Sequence, residues 1–215
     1  MIKVRRRGRC DYLPALEEMR RYTDTRGPDS DDQIWLLEHP PVYTLGLGAS
    51  PEHILRETPI PIVPTDRGGQ VTYHGPGQLV VYLLLDLTSR GLKVRELVRR
   101  TEQAIINLLC MDCGIEAQRW AGAPGVYVEN AKVAALGFRI RRGCCYHGLA
   151  LNVDMVDLSP YQHINPCGFR GLKVTDLKTF GVHDDVQTVG ERLLPRLLAQ
   201  FEIAEVTPLA ATVGR

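Results

Sequence analysis

No apolar run in this chain approaches the ~20 residues that a membrane-spanning helix needs. Neither sign of charge dominates: 26 Lys and Arg face 25 Asp and Glu, for a net charge of +1. So neutral a chain has no global basic field with which to collect nucleic acid, and no helix-turn-helix pattern is present. The one dense basic run, Arg5-Arg6-Arg7, reads as a solvated strand edge that also discourages edge pairing. The start, Met1-Ile2-Lys3-Val4-Arg5, lacks the apolar stretch of a secretory signal, so a cytoplasmic protein is expected. Internal repeats, low-complexity tracts and Ser/Gly-rich linkers are missing as well. With 215 residues, 44% of them hydrophobic, the expectation is one domain spanning 1–215.

Cysteine is present six times, at 10, 110, 113, 144, 145 and 167. In a cytosolic chain of this size that is no disulfide framework. Cys110-Met111-Asp112-Cys113 is a CxxC, but its partner pair would be the adjacent Cys144-Cys145, the wrong spacing for a zinc site. These cysteines are read as buried thiols near a helix end, and no metal site is expected.

What stands out is Arg67-Gly68-Gly69-Gln70-Val71-Thr72-Tyr73-His74-Gly75-Pro76-Gly77-Gln78, running into the apolar Leu79-Val80-Val81-Tyr82-Leu83-Leu84-Leu85. The first half has the glycines of tight turns and close approach, with polar handles between them. The second half suits a strand buried on both faces. A polar glycine-rich loop pinned to a central strand is where α/β folds put ligands, whereas a plain linker seldom carries Arg, Tyr and His. The loop is neither Gly-x-x-x-x-Gly-Lys-[Ser/Thr] nor Gly-x-Gly-x-x-Gly.

Around it the patterning predicts a mixed-sheet α/β domain. Strands are expected over 2–7, 33–38, 60–63, 79–86, 125–128, 132–140 and 146–153, with a hairpin at Asn130. Asp11 is the expected cap of a helix to about Tyr22 with Pro14 in its first turn. The apolar spacing of Val94, Leu97, Val98, Thr101, Ala104, Ile105, Leu108 and Leu109 predicts a helix ending near Gly114. A long loop is expected over 154–175. A last helix should start at Thr188, with Thr188 and Glu191 as a capping box, and kink at Pro195. His39, before Pro40-Pro41, reads as a structural hydrogen-bonding residue.

Two residues outside the loop suggest chemistry. Lys132 opens an otherwise apolar strand, and a lysine is seldom buried without a task. Cys167 lies in Asn165-Pro166-Cys167-Gly168, where proline and glycine fix and expose a thiol on a turn. Taken singly, a strand-end lysine is most often solvated and a lone cysteine most often inert. Their pairing would be potent. A free thiol has pKa ~8.5, so a shift of ~1.5 units, worth ~2 kcal/mol, makes it half thiolate at neutral pH. One ammonium at ~4 Å contributes ~4 kcal/mol in an effective dielectric of ~20, before its own desolvation.

With those residues in view the chain resembles the octanoyl-[acyl-carrier-protein]:protein octanoyltransferases, the lipoyl(octanoyl) transferases. The resemblance rests on His39-Pro40-Pro41-Val42-Tyr43-Thr44-Leu45-Gly46, on the 67–78 loop, on Lys132-Val133-Ala134-Ala135-Leu136-Gly137 with Arg142-Gly143 and His147 to Val153, and on Asn165-Pro166-Cys167-Gly168. Ala135 is a mild departure, since many members carry Ser or another small residue there. The resemblance implies the fold of the biotin/lipoate protein ligase catalytic domain. It implies Cys167 as acyl-thioester nucleophile and Lys132 as the residue that stabilises its thiolate. It implies substrate contacts from Arg67, Gly68, Gly69, Gln70, Val71, Thr72, Tyr73 and His74, from Ala135, Leu136 and Gly137, and from Gly148, Leu149 and Ala150. The implied donor is octanoyl-acyl carrier protein. The implied acceptors are lipoyl domains of 2-oxoacid dehydrogenase subunits and the glycine-cleavage H protein. No cofactor is implied, because a thioester is already activated. The alternative is an ATP-dependent lipoate- or biotin-protein ligase. Ala135, Gly137, Gly148 and Ala150, with Leu136 and Leu149, would line an apolar slot for the acyl tail, which bulk at Gly148 should narrow.

Overall fold

The structure, a computed structural model, describes residues 1–201. The C-terminal tail, which matches none of the motifs above, lies outside the described residues. Ten strands and three α-helices follow in the order β1 (Ile2–Arg9), α1 (Tyr12–Asp24), β2 (Asp32–Glu38), β3 (Val42–Leu45), β4 (Ile62–Pro64), β5 (Val71–His74), β6 (Gln78–Leu84), α2 (Val94–Cys113), β7 (Gln118–Trp120), β8 (Ala123–Val128), β9 (Ala131–Arg141), β10 (Cys144–Asn152) and α3 (Val186–Phe201). Seven strands form one mixed sheet in the order β1-β2-β6-β10-β9-β8-β7, and β4-β3-β5 form a second. Among the described residues, only β1 and β2 pair in parallel within the large sheet.

Alternation along β6 shows how the large sheet is covered. Leu79, Val81 and Leu83 point to one face, into a core with Leu97, Ile105 and Leu108 of α2 and Leu193 and Leu197 of α3. Val80, Tyr82 and Leu84 point to the other face, where Tyr12, Leu16 and Met19 of α1 cover them. A strand so enclosed has to be apolar at every position after Gln78, as the sequence is. The small sheet has its own core of Tyr43, Val71, Tyr73, Met155, Tyr161 and Ile164.

Glu129-Asn130 and Arg142-Gly143 turn the β8–β9 and β9–β10 hairpins, each with both residues at positive φ, as two-residue turns matching strand twist require. Gly114 caps α2 in the left-handed conformation at φ 67°.

Several expectations need correction. Asp11 precedes α1 but its side chain makes no capping hydrogen bond. The Val71–His74 part of the glycine-rich stretch is a fully buried strand, because β3 offers it a partner edge. The 154–175 segment is the expected long loop, and within it lie short 3-10 turns at Ser159–His163 and Pro166–Gly168. The last helix begins two residues before Thr188, and Asp185 accepts the Thr188 N–H at 2.7 Å. Glu191 instead holds Arg6, whose Nη2 donates to it at 2.8 Å. The same helix continues through Pro195 to Phe201. Arg5 and Arg7 are engaged too, both pairing with Glu18, at 2.7 and 2.6 Å. Cys110 is exposed and Cys113 half-buried at the end of α2, while Cys144 and Cys145 are buried in β10. No described helix is long and apolar enough to cross a membrane.

Candidate active site

Lys132 is the second residue of β9 and is buried, 3% exposed. Its Nζ donates to Cys167 Sγ at 3.0 Å and to the carbonyl of Pro124 at 3.1 Å. The same Nζ lies 5.1 Å from the centroid of the Tyr127 ring, which stacks in turn on Trp120. Gly125 makes room for the lysine stem: a Cβ there would come within 3.1 Å of Lys132 Cε, and the backbone sits at φ 141°. Burial disfavours the ammonium, but the facing Cys167 sulfur and the Tyr127 hydroxyl more than offset it, so the Lys132 pKa stands above its ordinary value.

Cys167 reaches this position on a braced turn. Lys132 N–H donates to Lys173 O at 2.8 Å and Thr175 N–H donates to Lys132 O at 3.0 Å, a parallel bridge opposite Val174. Ahead of the turn, Asn165 N–H donates to His53 O at 2.9 Å and Leu55 N–H to His163 O at 2.8 Å. Between these staples Cys167 adopts φ 56°, ψ 20°, a left-handed conformation unusual for a side chain with a Cβ, and Gly168 follows at φ 77°. Residues held this way cluster at sites of chemistry.

The thiol faces a cleft between the two sheets. Arg67, Gly69, Gln70, Val71, Thr72, His74, Ala135, Leu136, Gly137, Gly148, Leu149, Ala150 and Cys167 all line it. The register explains the floor. Ala135, Ala150 and Val80 form one row across β9, β10 and β6, and Gly137, Gly148 and Tyr82 form the next row on the same face. Leu136 and Leu149 alternate with these, and their side chains join the α2–α3 core instead. Gly68 is absent from the lining, but its N–H donates to Phe138 O at 2.9 Å and so ties the loop to β9. Tyr73 points away from the cleft, into the core of the small sheet.

Arg67 is buried with no carboxylate partner among the described residues: Nε donates to Thr44 Oγ1 at 3.0 Å, Nη2 to Thr44 O at 2.6 Å, and Nη1 to Gly68 O at 2.9 Å. Burial lowers its pKa below the ordinary arginine value. His74 is neutral, pushed down to about 3 by burial, and its Nδ1–H donates to Gln78 Oε1 at 2.7 Å. Gln78 Nε2 donates onward to Asn152 Oδ1 at 2.9 Å, and Asn152 Nδ2 to Thr175 O at 2.9 Å. This buried chain therefore runs from His74 in the cleft to the bridge beside Lys132.

The sequence reading missed Tyr12, Val80, Tyr82 and His147 in the lining, and Asp66 behind it. Asp66 accepts from Tyr146 Oη at 2.5 Å, from His147 Nε2 at 3.1 Å and from Arg20 Nε at 3.2 Å. Burial would raise the Asp66 carboxyl, but these donors hold it well below the usual range, and the grip fixes the loop that starts at Arg67. The period-2 pattern of β6 would have found Val80 and Tyr82. Nothing local marks Tyr12.

Residues 11–198 match the model of the lipoyl protein ligase A/B catalytic domain. The octanoyltransferase of Azoarcus sp. (strain BH72) is 63% identical over 198 residues, covering 92% of this chain and 86% of that protein. The octanoyltransferase of Aromatoleum aromaticum is 61% identical over 196 residues, covering 91% and 84%. Among solved structures, the bipartite lipoate protein ligase of Thermoplasma acidophilum aligns over 95% of this chain and 89% of its own, with a TM-score of 0.67 at 17% identity. The biotin protein ligase of Aquifex aeolicus aligns over 93% and 70%, with a TM-score of 0.59 at 13% identity. Likeness at those identities shows the shared fold. The chain belongs to the lipoyl protein ligase A/B catalytic-domain family and, within it, to the octanoyltransferases, which are acyltransferases of lipoate biosynthesis.

Proposed function

We propose that the chain moves an octanoyl group from octanoyl-acyl carrier protein to a specific lysine of lipoyl domains, through a thioester on Cys167. The acceptors in this reading are lipoyl domains of 2-oxoacid dehydrogenase subunits and the glycine-cleavage H protein. All of residues 1–215 serve as one catalytic domain. A cytoplasmic setting belongs to the same reading, because a free thiolate needs reducing surroundings. The observation that carries it is the 3.0 Å approach of Lys132 Nζ to Cys167 Sγ at a cleft floored by small residues.

The reactive form in this cycle is the Cys167 thiolate facing the Lys132 ammonium. The thiolate attacks the thioester carbonyl carbon, with backbone N–H groups of the glycine-rich loop as oxyanion donors. The carbon–sulfur bond to the carrier breaks, and the leaving sulfur takes a proton from Lys132. Cys167 is now acylated and Lys132 neutral. With the thiolate gone, burial is the largest remaining influence on Lys132 and favours the neutral amine. The acceptor lysine, as free amine, attacks the new thioester, and Lys132 takes its proton. Breaking the Cys167 thioester restores thiolate and ammonium, so charge and protons balance over the cycle.

The test incubates purified protein with octanoyl-acyl carrier protein and an apo lipoyl domain, with and without ATP. Octanoyl amide should form equally in both. A requirement for ATP, with free octanoate as the better donor, would establish the ligase alternative instead.

A further inference from the structure

The cleft has two distinguishable ends. Near the thiol, Thr72, Lys132, Ala135 and Cys167 surround one small cavity. At the other end stand Tyr12 and Tyr82, packed together with Val80 and Ala150 beneath α1. From Ala135 across Ala150 to Val80 the floor spans two strand spacings, about 10 Å. The seven carbon–carbon bonds of an extended octanoyl chain, ~1.5 Å each at near-tetrahedral angles, project to about 9 Å. A chain that starts at Cys167 and crosses this floor therefore ends against the two rings.

Both rings are pinned. His39 Nδ1–H donates to Cys10 O at 2.7 Å, a partner that only accepts. Burial keeps the imidazole neutral, down to about 4, so its Nε2 carries a lone pair and accepts the Tyr82 hydroxyl at 2.7 Å. Tyr12 Oη donates to Thr65 Oγ1 at 3.1 Å, and its ring packs edge-on against His39 at 5.2 Å between centroids. Neither ring can swing aside without breaking a buried hydrogen bond.

We propose that Tyr82, with Tyr12 beside it, is the stop that sets the acyl chain length at eight carbons. This rests on the acyl-enzyme reading above. A methylene too few leaves a small gap and modest loss, whereas a methylene too many meets a wall that cannot give.

The experiment measures the rate of acyl-enzyme formation on Cys167 by intact mass, using octanoyl-, decanoyl- and dodecanoyl-acyl carrier protein. Wild type should prefer octanoyl. Tyr82→Leu should raise the decanoyl-to-octanoyl rate ratio about tenfold or more, because it removes the ring. Tyr82→Phe keeps the ring but frees it from His39, so its ratio should lie between those of wild type and Tyr82→Leu. Tyr12→Leu carries the same expectation as Tyr82→Leu and serves if the latter does not fold. An unchanged ratio in folded leucine variants that still take octanoyl overturns the stop alone. Wild-type protein that takes no acyl group on Cys167 overturns the acyl-enzyme reading, and the stop with it.

Discussion

Lys132 and Cys167 lie 35 residues apart in the chain, yet Nζ donates to Sγ at 3.0 Å. The closeness is imposed by backbone rather than by the Nζ–Sγ contact itself. Val174 pairs with Lys132 as a bridge, so the segment carrying Cys167 is laid along the start of β9. The pair also has a fixed polar environment, since Pro124 O takes a second Nζ proton and Gly125 leaves space for the stem. A lysine held this way cannot exchange its partner for water, which a surface lysine would do at little cost.

Removing the ammonium tests the first half of the proposed cycle. Lys132→Met should slow alkylation of Cys167 by iodoacetamide at neutral pH about fifteenfold, because losing ~2 kcal/mol takes a half-ionised thiol down to about 3% thiolate. Quantitative mass mapping of the alkylated peptide gives the rate. A Met variant that is alkylated as fast as wild type would show that Lys132 does not stabilise the thiolate.

Keeping the charge while abolishing its basicity tests the second half. Lys132→Arg should still accept octanoyl on Cys167, the carrier sulfur leaving as a thiolate, but discharge it to the apo lipoyl domain about a hundredfold more slowly, because guanidinium does not give up its proton. Single-turnover discharge of preformed acyl-enzyme separates this from acylation. Discharge at the wild-type rate would remove Lys132 as proton acceptor.

How far the site was legible depended on whether a residue's neighbours in sequence reveal its surroundings. Cys167 announced itself through Pro166 and Gly168, and Lys132 through the apolar run that follows it. The α2 stop at Gly114 and the turn at Asn130 were equally local. Val71 to His74 was misread as loop because glycines flank it, and its strand character comes from β3, some thirty residues earlier. Tyr12 was invisible for a like reason: a tyrosine at the start of an amphipathic helix looks like core until the sheet it covers is known. The Asp185 cap was mistaken for Thr188 because both residue types cap, and only geometry chooses between them.

The buried histidines make stability depend on pH. Burial lowers His39 to about 4 and His74 to about 3, and lowers His147 despite its bond to Asp66. In the unfolded chain each titrates near 6.5. Below that pH the unfolded state binds protons that the native state refuses, so stability is full above about 6.5 and falls as pH drops toward the native values. At ~1.4 kcal/mol per unit per group, the loss by pH 5 is several kcal/mol. Urea midpoints at pH 7.5, 6 and 5 should therefore decrease in order, and His39→Gln should flatten the slope. A midpoint independent of pH over this range would mean that these rings are charged in the native state or open to water.

Gly148 shows why the smallness of the cleft floor is partly structural. A Cβ on this residue would overlap the carbonyl oxygen of Val81, its diagonal neighbour on β6, which is backbone and cannot turn away. Bulk here therefore cannot serve to narrow the slot, as the sequence alone suggested, because it would first force β10 from β6 at the centre of the sheet. Gly148→Ala should cost ~3 kcal/mol, at the upper end of what overpacking usually costs. Gly27→Ala is the control, since a Cβ there meets nothing within 4 Å and its φ is not in the left-handed region. It should shift stability by no more than ~0.5 kcal/mol, as surface substitutions usually do. Urea unfolding of the two variants decides the matter. If Gly148→Ala were as stable as Gly27→Ala, the β6–β10 pairing would be looser than described.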